Sequence, residues 1–409
     1  MTARRLSAAA VTLHRSIAIQ LPFDTIGRDS LRLWVRWLAA ALRNDARRWL
    51  RLGADPTPAF PAQFLVGVTY KCDSRCSHCN IWANYLQQPE AASQEMTLVE
   101  FERFLDRNPQ LIQIATTGGE QFNRDDIVEF WLVLDRRGHR TGCATNAIET
   151  DHIIEREGFL LPRLSGRHLR HFGVSLDGVE AVHDRIRGIP GNFARAWRLF
   201  QWAREQEQRY PFYRAEISST LTAANYREFP ALVEWLVSRG VPPNKIAFMG
   251  ALPSAHYYRN VKTCKPVTAR DQLAGIIEEL RRKHPGFGQN YFTESHLQWL
   301  RDPTSGVTCV AGTAFGYIDP YWNVYPCLVL DRKLGNLREF DFDVRKLWRS
   351  PAAQQFRAEL AAKPCTLCFN ECNRWQSMRA SLGGLAKIAW RQAGRVFRAN
   401  RDSQRRWRM

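Results

Sequence analysis

Six short apolar runs, separated by stretches of helical periodicity, dominate residues 61–250. They are 64–70, LIQIATT at 111–117, RTGCATN at 140–146, LRHFGVSL at 169–176, RAEISSTL at 214–221 and KIAFMG at 245–250. Strands that alternate with helices are joined by crossovers, and crossovers make the strands parallel. The expected fold class is therefore α/β: a partial (β/α)6 TIM-type barrel, two units short of a closed one. Helix signals fall between the runs. Thr97 with Glu100, and Asn225 with Glu228, have capping-box spacing, and Gly240 stands where a C′ glycine ends a helix. Ligands in such folds bind at the carboxyl ends of the strands, so those ends are read first.

The first run leads into YKCDSRCSHCN, which sets Cys72, Cys76 and Cys79 at C-x3-C-x2-C spacing. Three thiolates are one short of a closed tetrahedral site and one more than a redox dithiol needs. Thiolates select soft centres, iron–sulfur clusters among them, and a cubane with three protein thiolates keeps one iron open. Zinc with His78 as fourth ligand is the alternative for the triplet. TGGEQFNRDD follows the second run, Thr145 and Asn146 end the third, and SLDG (Ser175 to Gly178) ends the fourth. One mouth should thus gather the thiolates, Glu120, Asn146, Ser175 and the nearby Arg187. Gly118 and Gly119 should let the backbone approach a ligand closely.

The triplet after the first strand, GGE after the second, TN after the third and SLDG…HDRIRG after the fourth resemble the radical S-adenosylmethionine (SAM) enzymes. The resemblance covers roughly residues 62–250. It implies that Cys72, Cys76 and Cys79 hold a 4Fe–4S cluster whose open iron chelates the amino and carboxylate groups of SAM. It implies Gly118, Gly119 and Glu120 for the amino group, Ser175 and Arg187 for the carboxylate and neighbouring polar atoms, and Asn146 and Asp177 around the ribose. His183 and Asp184 are read as structural. Gln121 stands where the family often has proline, and His78 where it usually has an aromatic residue.

Cys309 and Cys327 bracket VAGTAFGYIDPYWNVYP, and Cys365, Cys368 and Cys372 follow in CTLCFNEC. This part resembles the SPASM auxiliary-cluster domain or its shortened form, twitch. YIDPYWNVYPC resembles its ligand-presenting hairpin, with Trp322 where the family often has glycine. Five cysteines are too few for the two clusters of a full SPASM domain. The resemblance therefore implies one auxiliary 4Fe–4S cluster on Cys309, Cys327, Cys365 and Cys368, with Cys372 a spare or a replacement. Zinc on the same residues is the alternative. Cys143 reads as a core residue. Cys264 reads either as a loop cysteine or as a hydrogen donor whose pKa Lys262 and Lys265 lower.

Charge is concentrated at the ends. Residues 1–60 carry ten Arg against four Asp, and residues 373–409 nine Arg and one Lys against one Asp, so the ends hold +15 of the net +18. Residues 29–52 read as one amphipathic helix. Basic, Trp-bearing helices suit packing on the body by an apolar stripe, or an anionic membrane interface. No nucleic-acid motif accompanies the charge, and that partner is not expected. MTARRLSAAAVTLHRSIAIQ has a twin-arginine look, but His14 and Arg15 interrupt it and it is read as mature chain. The expected location is cytoplasmic, with peripheral contact to the inner membrane surface. The expected organisation is a basic helical extension (1–60), the barrel (61–260), a helical linker (261–304), the auxiliary-cluster domain (305–375) and a basic tail (376–409).

The expected activity is that of a radical SAM oxidoreductase. SAM is cleaved reductively to a 5′-deoxyadenosyl radical, which abstracts hydrogen from a small polyol, sugar or lipid-linked substrate. The auxiliary cluster accepts the remaining electron, and a flavodoxin or ferredoxin is the reductant. The short helical N-terminal segment differs from the precursor-binding domain of many peptide-modifying relatives, which makes a peptide maturase the alternative. With Cys264 as donor the reaction becomes a redox-neutral epimerisation. A non-catalytic metal protein is the remotest reading, because it leaves Glu120, Ser175 and Arg187 unexplained.

Overall fold

The computed structural model describes residues 29–49, 61–86, 88–288, 291–303, 309–363, 365 and 371–390. All six expected strands form: β1 (Gln63–Thr69), β2 (Gln113–Gly118), β3 (Thr141–Thr145), β4 (Arg170–Ser175), β5 (Tyr213–Leu221) and β6 (Ile246–Gly250). Helix α1 (Asp29–Trp49) precedes them. The crossovers are α2 (Leu98–Arg107), α3 (Ile127–Arg136), α4 (Thr150–Leu160), the pair α5 (Ala181–Arg187) and α6 (Asn192–Arg209), and α7 (Phe229–Ser238). Helices α8 (Arg270–Lys283) and α9 (Tyr291–Arg301) follow the last strand.

Strands β3-β4-β5-β6 form one parallel sheet, and β1 pairs in parallel with β2. The seam between β2 and β3 is bridged where Thr116 Oγ1 donates to Gly142 O at 3.2 Å. Along β5, burial alternates residue by residue: Ala215, Ile217 and Leu221 pack outward among the helices, while Glu216, Ser218 and Thr220 face the bore. Gly142, Ala144 and Gly173 line the same bore. An outer face of large side chains and an inner face of small ones gives a barrel that is held from outside and open within.

The cysteine-rich region shares this sheet. Strand β7 (Phe315–Ile318) pairs in parallel with β1, Gln63 opposite Phe315, and continues antiparallel into β8 (Asn323–Tyr325) and β9 (Gly335–Asn336). Asp319 shapes the turn of the β7–β8 hairpin by accepting from the backbone of Tyr321 and Asn323. Trp322 sits there at φ +69° with its indole fully buried, in a backbone region that favours glycine. Helices α10 (Val344–Trp348), α11 (Pro351–Ala362) and α12 (Glu371–Arg379) follow.

Thr97 and Glu100 form the expected capping box on α2, and Gly240 takes φ +77° beyond α7. The second box does not form. Asn225 Oδ1 accepts from the backbone and hydroxyl of Thr222, and its amide donates to Asp177 O and Thr220 O, so it ties the ends of β4 and β5 together. Helix α1 lies on the body through Trp37, Ala40 and Ala41, which pack with Ala62, Ile112 and Leu385. Its expected last turn, residues 50–52, lies outside the described residues. No helix among the described residues is long and apolar enough to cross a membrane.

Candidate active site

A cavity of about 510 Å³ occupies the bore, and Cys72, Cys76, Cys79, Glu120, Asn146, Ser175 and Arg187 all line it. The loop after β1 presents the three thiols, and the loop after β2 holds it in place. Gly119 N donates to Thr69 O, and Glu120 N to Lys71 O at 2.9 Å. A Cβ on Gly118 would lie 2.2 Å from Thr69 O, and one on Gly119 2.2 Å from Lys71 O. The close approach these glycines permit is to the cysteine loop, and both also line the cavity. Arg124, unremarked in the sequence, locks the base by donating to Val68 O and gripping Asp126 with two nitrogens.

Glu120 is buried. Its Oε2 accepts from Asn146 N at 2.7 Å and Thr145 Oγ1 at 3.0 Å, and its Oε1 from Phe122 N. Burial pushes its pKa up to about 7, with Asp73 adding to the rise and those donors opposing it. A buried carboxylate in this position is stabilised by a cationic ligand group. The side chain of Asn146 donates to Asp73 Oδ1 at 2.7 Å and comes within 4.0 Å of Cys72 Sγ.

Asp177 had been expected near a ribose. The structure turns its fully buried carboxylate to Arg187, 2.6 Å from Nε, and it does not line the cavity. Burial works against its charge, but Arg187 above all holds the carboxyl below its ordinary range. Arg187 Nη1 approaches Cys76 Sγ at 3.7 Å. With Nε on Asp177 and Nη1 beside Cys76, the guanidinium is fixed against the cysteine loop. Asp177 therefore positions Arg187, and His183 in turn braces this segment by accepting from Asp177 N.

The donor set suits an iron–sulfur cluster and SAM. Burial raises the Cys72 and Cys79 thiols well above their ordinary range, so they ionise only against a compensating cationic centre. Cys76 Sγ has Ser74 Oγ at 3.0 Å and the Arg187 guanidinium beside it. His78 lines the cavity, is kept neutral by burial with its pKa lowered to about 4, and its buried Nδ1 has no hydrogen-bond partner.

In the second cysteine group, Cys309 and Cys327 pack in one apolar cluster with Val310, Ala314 and Phe315. Cys327 Sγ accepts from the backbone of Val329 at 3.4 Å and Leu330 at 3.3 Å, as a thiolate ligand is stabilised. Cys365 is half-buried. Cys368 lies outside the described residues, and Cys372 falls within α12.

Cys264 does not line the cavity. Burial raises its pKa, the reverse of the lowering expected from Lys262 and Lys265. Tyr257 was missed in the sequence. It reaches the cavity from the loop after β6, its hydroxyl 2.7 Å from Thr117 Oγ1 and donating to Gly118 O. The only signal was an aromatic pair, Tyr257 and Tyr258, just beyond a strand's carboxyl end.

A parallel partial barrel with three thiols and a buried carboxylate at its mouth, joined through β1 to a second cysteine group, defines a two-part iron–sulfur enzyme. Residues 66–217 match the radical SAM superfamily, and residues 309–373 match an iron–sulfur cluster-binding domain, SPASM. The chain belongs to the radical SAM superfamily and uses SAM and iron–sulfur clusters. It is similar to an AdoMet-dependent heme synthase of Nitratidesulfovibrio vulgaris, 25% identical over 350 residues that cover 75% of this chain and 87% of that protein. It is also similar to a PqqA peptide cyclase of Ruegeria pomeroyi, 31% identical over 138 residues, 33% of this chain and 34% of that one. In fold it resembles Streptococcus suis SuiB bound to its precursor peptide SuiA, with TM-score 0.55 and 16% identity, covering 77% of this chain and 71% of SuiB.

Proposed function

We propose that this radical SAM enzyme abstracts hydrogen from a preassembled, carboxylate-bearing substrate, a tetrapyrrole in the first place and a peptide in the second. The observation that carries this is the extent of the heme-synthase similarity, which runs over 87% of that protein, whereas the peptide-cyclase match covers 34%. These comparisons favour synthase and maturase chemistry over the polyol oxidation expected from the sequence. The bore adds support: its wall is small at Ala115, Ala144 and Gly173, and it carries the guanidinium groups of Arg140 and Arg379.

In this reading Cys72, Cys76 and Cys79 hold the SAM-binding cluster, and Cys309, Cys327, Cys365 and Cys368, or Cys372 in place of one of them, hold an auxiliary cluster. When reduced, the first cluster with SAM supplies a 5′-deoxyadenosyl radical. Glu120 binds the SAM amino group, Ser175 and Arg187 the carboxylate side, and Asn146 orients the neighbouring polar atoms. Asp177 keeps Arg187 charged and fixed. The buried wall excludes water, which protects a radical from side reactions. Cys264 is not among the residues that line the cavity, which favours a net oxidation over epimerisation.

The test is anaerobic reconstitution with iron and sulfide, followed by incubation with SAM and dithionite. We expect about eight irons per chain, four for each cluster, and release of 5′-deoxyadenosine. A carboxylated iron porphyrin should stimulate that release and change its own visible spectrum. Stimulation by a sugar alcohol and not by porphyrin or peptide would overturn the substrate assignment; zinc and no cleavage would overturn the whole reading.

A further inference from the structure

Helix α1 uses only one face to pack on the body. Its outer face carries Val35, Leu38 and Leu42, which are 57%, 38% and 50% exposed, with the exposed Ala39 and Ala46 between and beyond them. Spacings of three, four and seven residues put these five side chains on one stripe. Arg32 and Arg43 are exposed along one flank of that stripe. Arg36 faces the body instead, where its Nη2 donates to the carbonyls of Pro109, Gln110 and Leu111. The helix is held at its far side as well: Asn44 donates to Ala380 O, and Asp45 accepts from Leu382 N. Asp45 is thereby engaged with the C-terminal helical run, whose described residues 382–390 include Trp390, 81% exposed.

We propose that this face is a docking surface for an anionic lipid bilayer, with α1 lying in the plane of the interface. A second copy of the chain would have to bring acidic groups to such a surface. Yet the sequence segments at both ends are strongly basic, and two copies would repel each other there. An anionic bilayer complements the charge, accepts an apolar stripe of this width and favours a Trp at its edge. Rigid attachment to the barrel gives the consequence: Arg379, which lines the cavity, also lies over the ring of Trp37 on the inner side of α1. The membrane-facing helix and the bore thus share a residue contact. The proposal needs no cofactor and stands apart from the choice of substrate.

The test is vesicle flotation of the full chain. Vesicles of phosphatidylcholine alone are compared with vesicles containing about 30 mol% phosphatidylglycerol. We expect binding to the anionic vesicles only, and about a tenfold or greater loss in Val35→Glu/Leu38→Glu/Leu42→Glu. Because these positions are exposed, the variant should keep the thermal melt and the SAM-cleavage yield of the wild type. A second variant, Arg32→Ser/Arg43→Ser, should weaken binding and reduce its dependence on salt. Absence of wild-type binding would overturn the proposal. So would full binding by the triple-glutamate variant, which would put the attraction on the basic segments alone. A dimer in sedimentation that the triple variant dissolves would assign the stripe to a second copy instead.

Discussion

The indole Nε1 of Trp322 donates to Glu100 Oε2 across 3.2 Å, joining the hairpin of the cysteine-rich region to the capping box of α2. Arg338 completes the junction by gripping both oxygens of Glu100 at 2.7 and 3.0 Å. One carboxylate therefore serves a helix start, a buried indole and a guanidinium from three parts of the chain.

That junction titrates. Partial burial would raise the Glu100 pKa, but Arg338, the backbone of Thr97 and Trp322 together hold it at about 2, below the ordinary 4.5. A carboxyl depressed on folding contributes stability that is complete above the unfolded value and is lost as pH falls toward the folded one. The melting temperature should drop between about pH 4.5 and 2, and Glu100→Gln should be flatter over that window. Equal slopes for the two proteins would show that the junction adds nothing measurable.

Trp322 sets two effects against each other. Its buried indole is worth about 3–5 kcal/mol relative to alanine, while its left-handed backbone costs roughly 1–2 kcal/mol that only glycine avoids. Both truncations should destabilise, but Trp322→Gly less than Trp322→Ala. Urea denaturation measures the order; a reversed order would remove the backbone argument.

The Asp177–Arg187 pair is buried on both sides. Asp177→Asn leaves a buried guanidinium without its counter-ion and should cost about 3–5 kcal/mol. Asp177→Asn combined with Arg187→Met should recover part of that loss. If the double variant is no better than the sum of the singles, the pair does not act as a unit.

Gly119→Ala forces a methyl against the Lys71 carbonyl in the loop that presents the cysteines. Reconstituted iron should fall from about eight to about four per chain while the auxiliary cluster remains. An unchanged iron count would show that the loop yields without losing its cluster.

Cys264→Ala should leave product formation intact, because the thiol does not line the cavity. Deuterium-traceable abstraction that then stalls would restore the thiol as a hydrogen donor.

The six strands were legible because a parallel sheet buried by helices must be written as short apolar runs with turn signals between them. The cysteines, Glu120, Asn146 and Ser175 were legible because each follows or closes such a run. Asp177 was not: it lies two residues past Ser175 and beyond the end of β4, where strand alternation no longer sets direction, and Arg187 claims its carboxylate. Asn225 had the spacing of a cap, and a tertiary demand claimed its side chain. Tyr257 reaches the cavity from a loop, where no periodicity announces direction. The β1–β7 pairing was invisible for a related reason, since partners so far apart in sequence leave no local pattern.

That pairing has a consequence in time. β1 is complete early in synthesis, yet its neighbour β7 lies roughly 250 residues downstream. At the usual ~5–20 residues per second, a nascent chain spends on the order of 12 to 50 seconds with that edge unpaired. A bare strand edge invites pairing with other chains for that whole interval. The C-terminal region can cover that edge only once it has been made, and a chain stopped before β7 is expected to aggregate even though every residue that matches the radical SAM superfamily has already been synthesised.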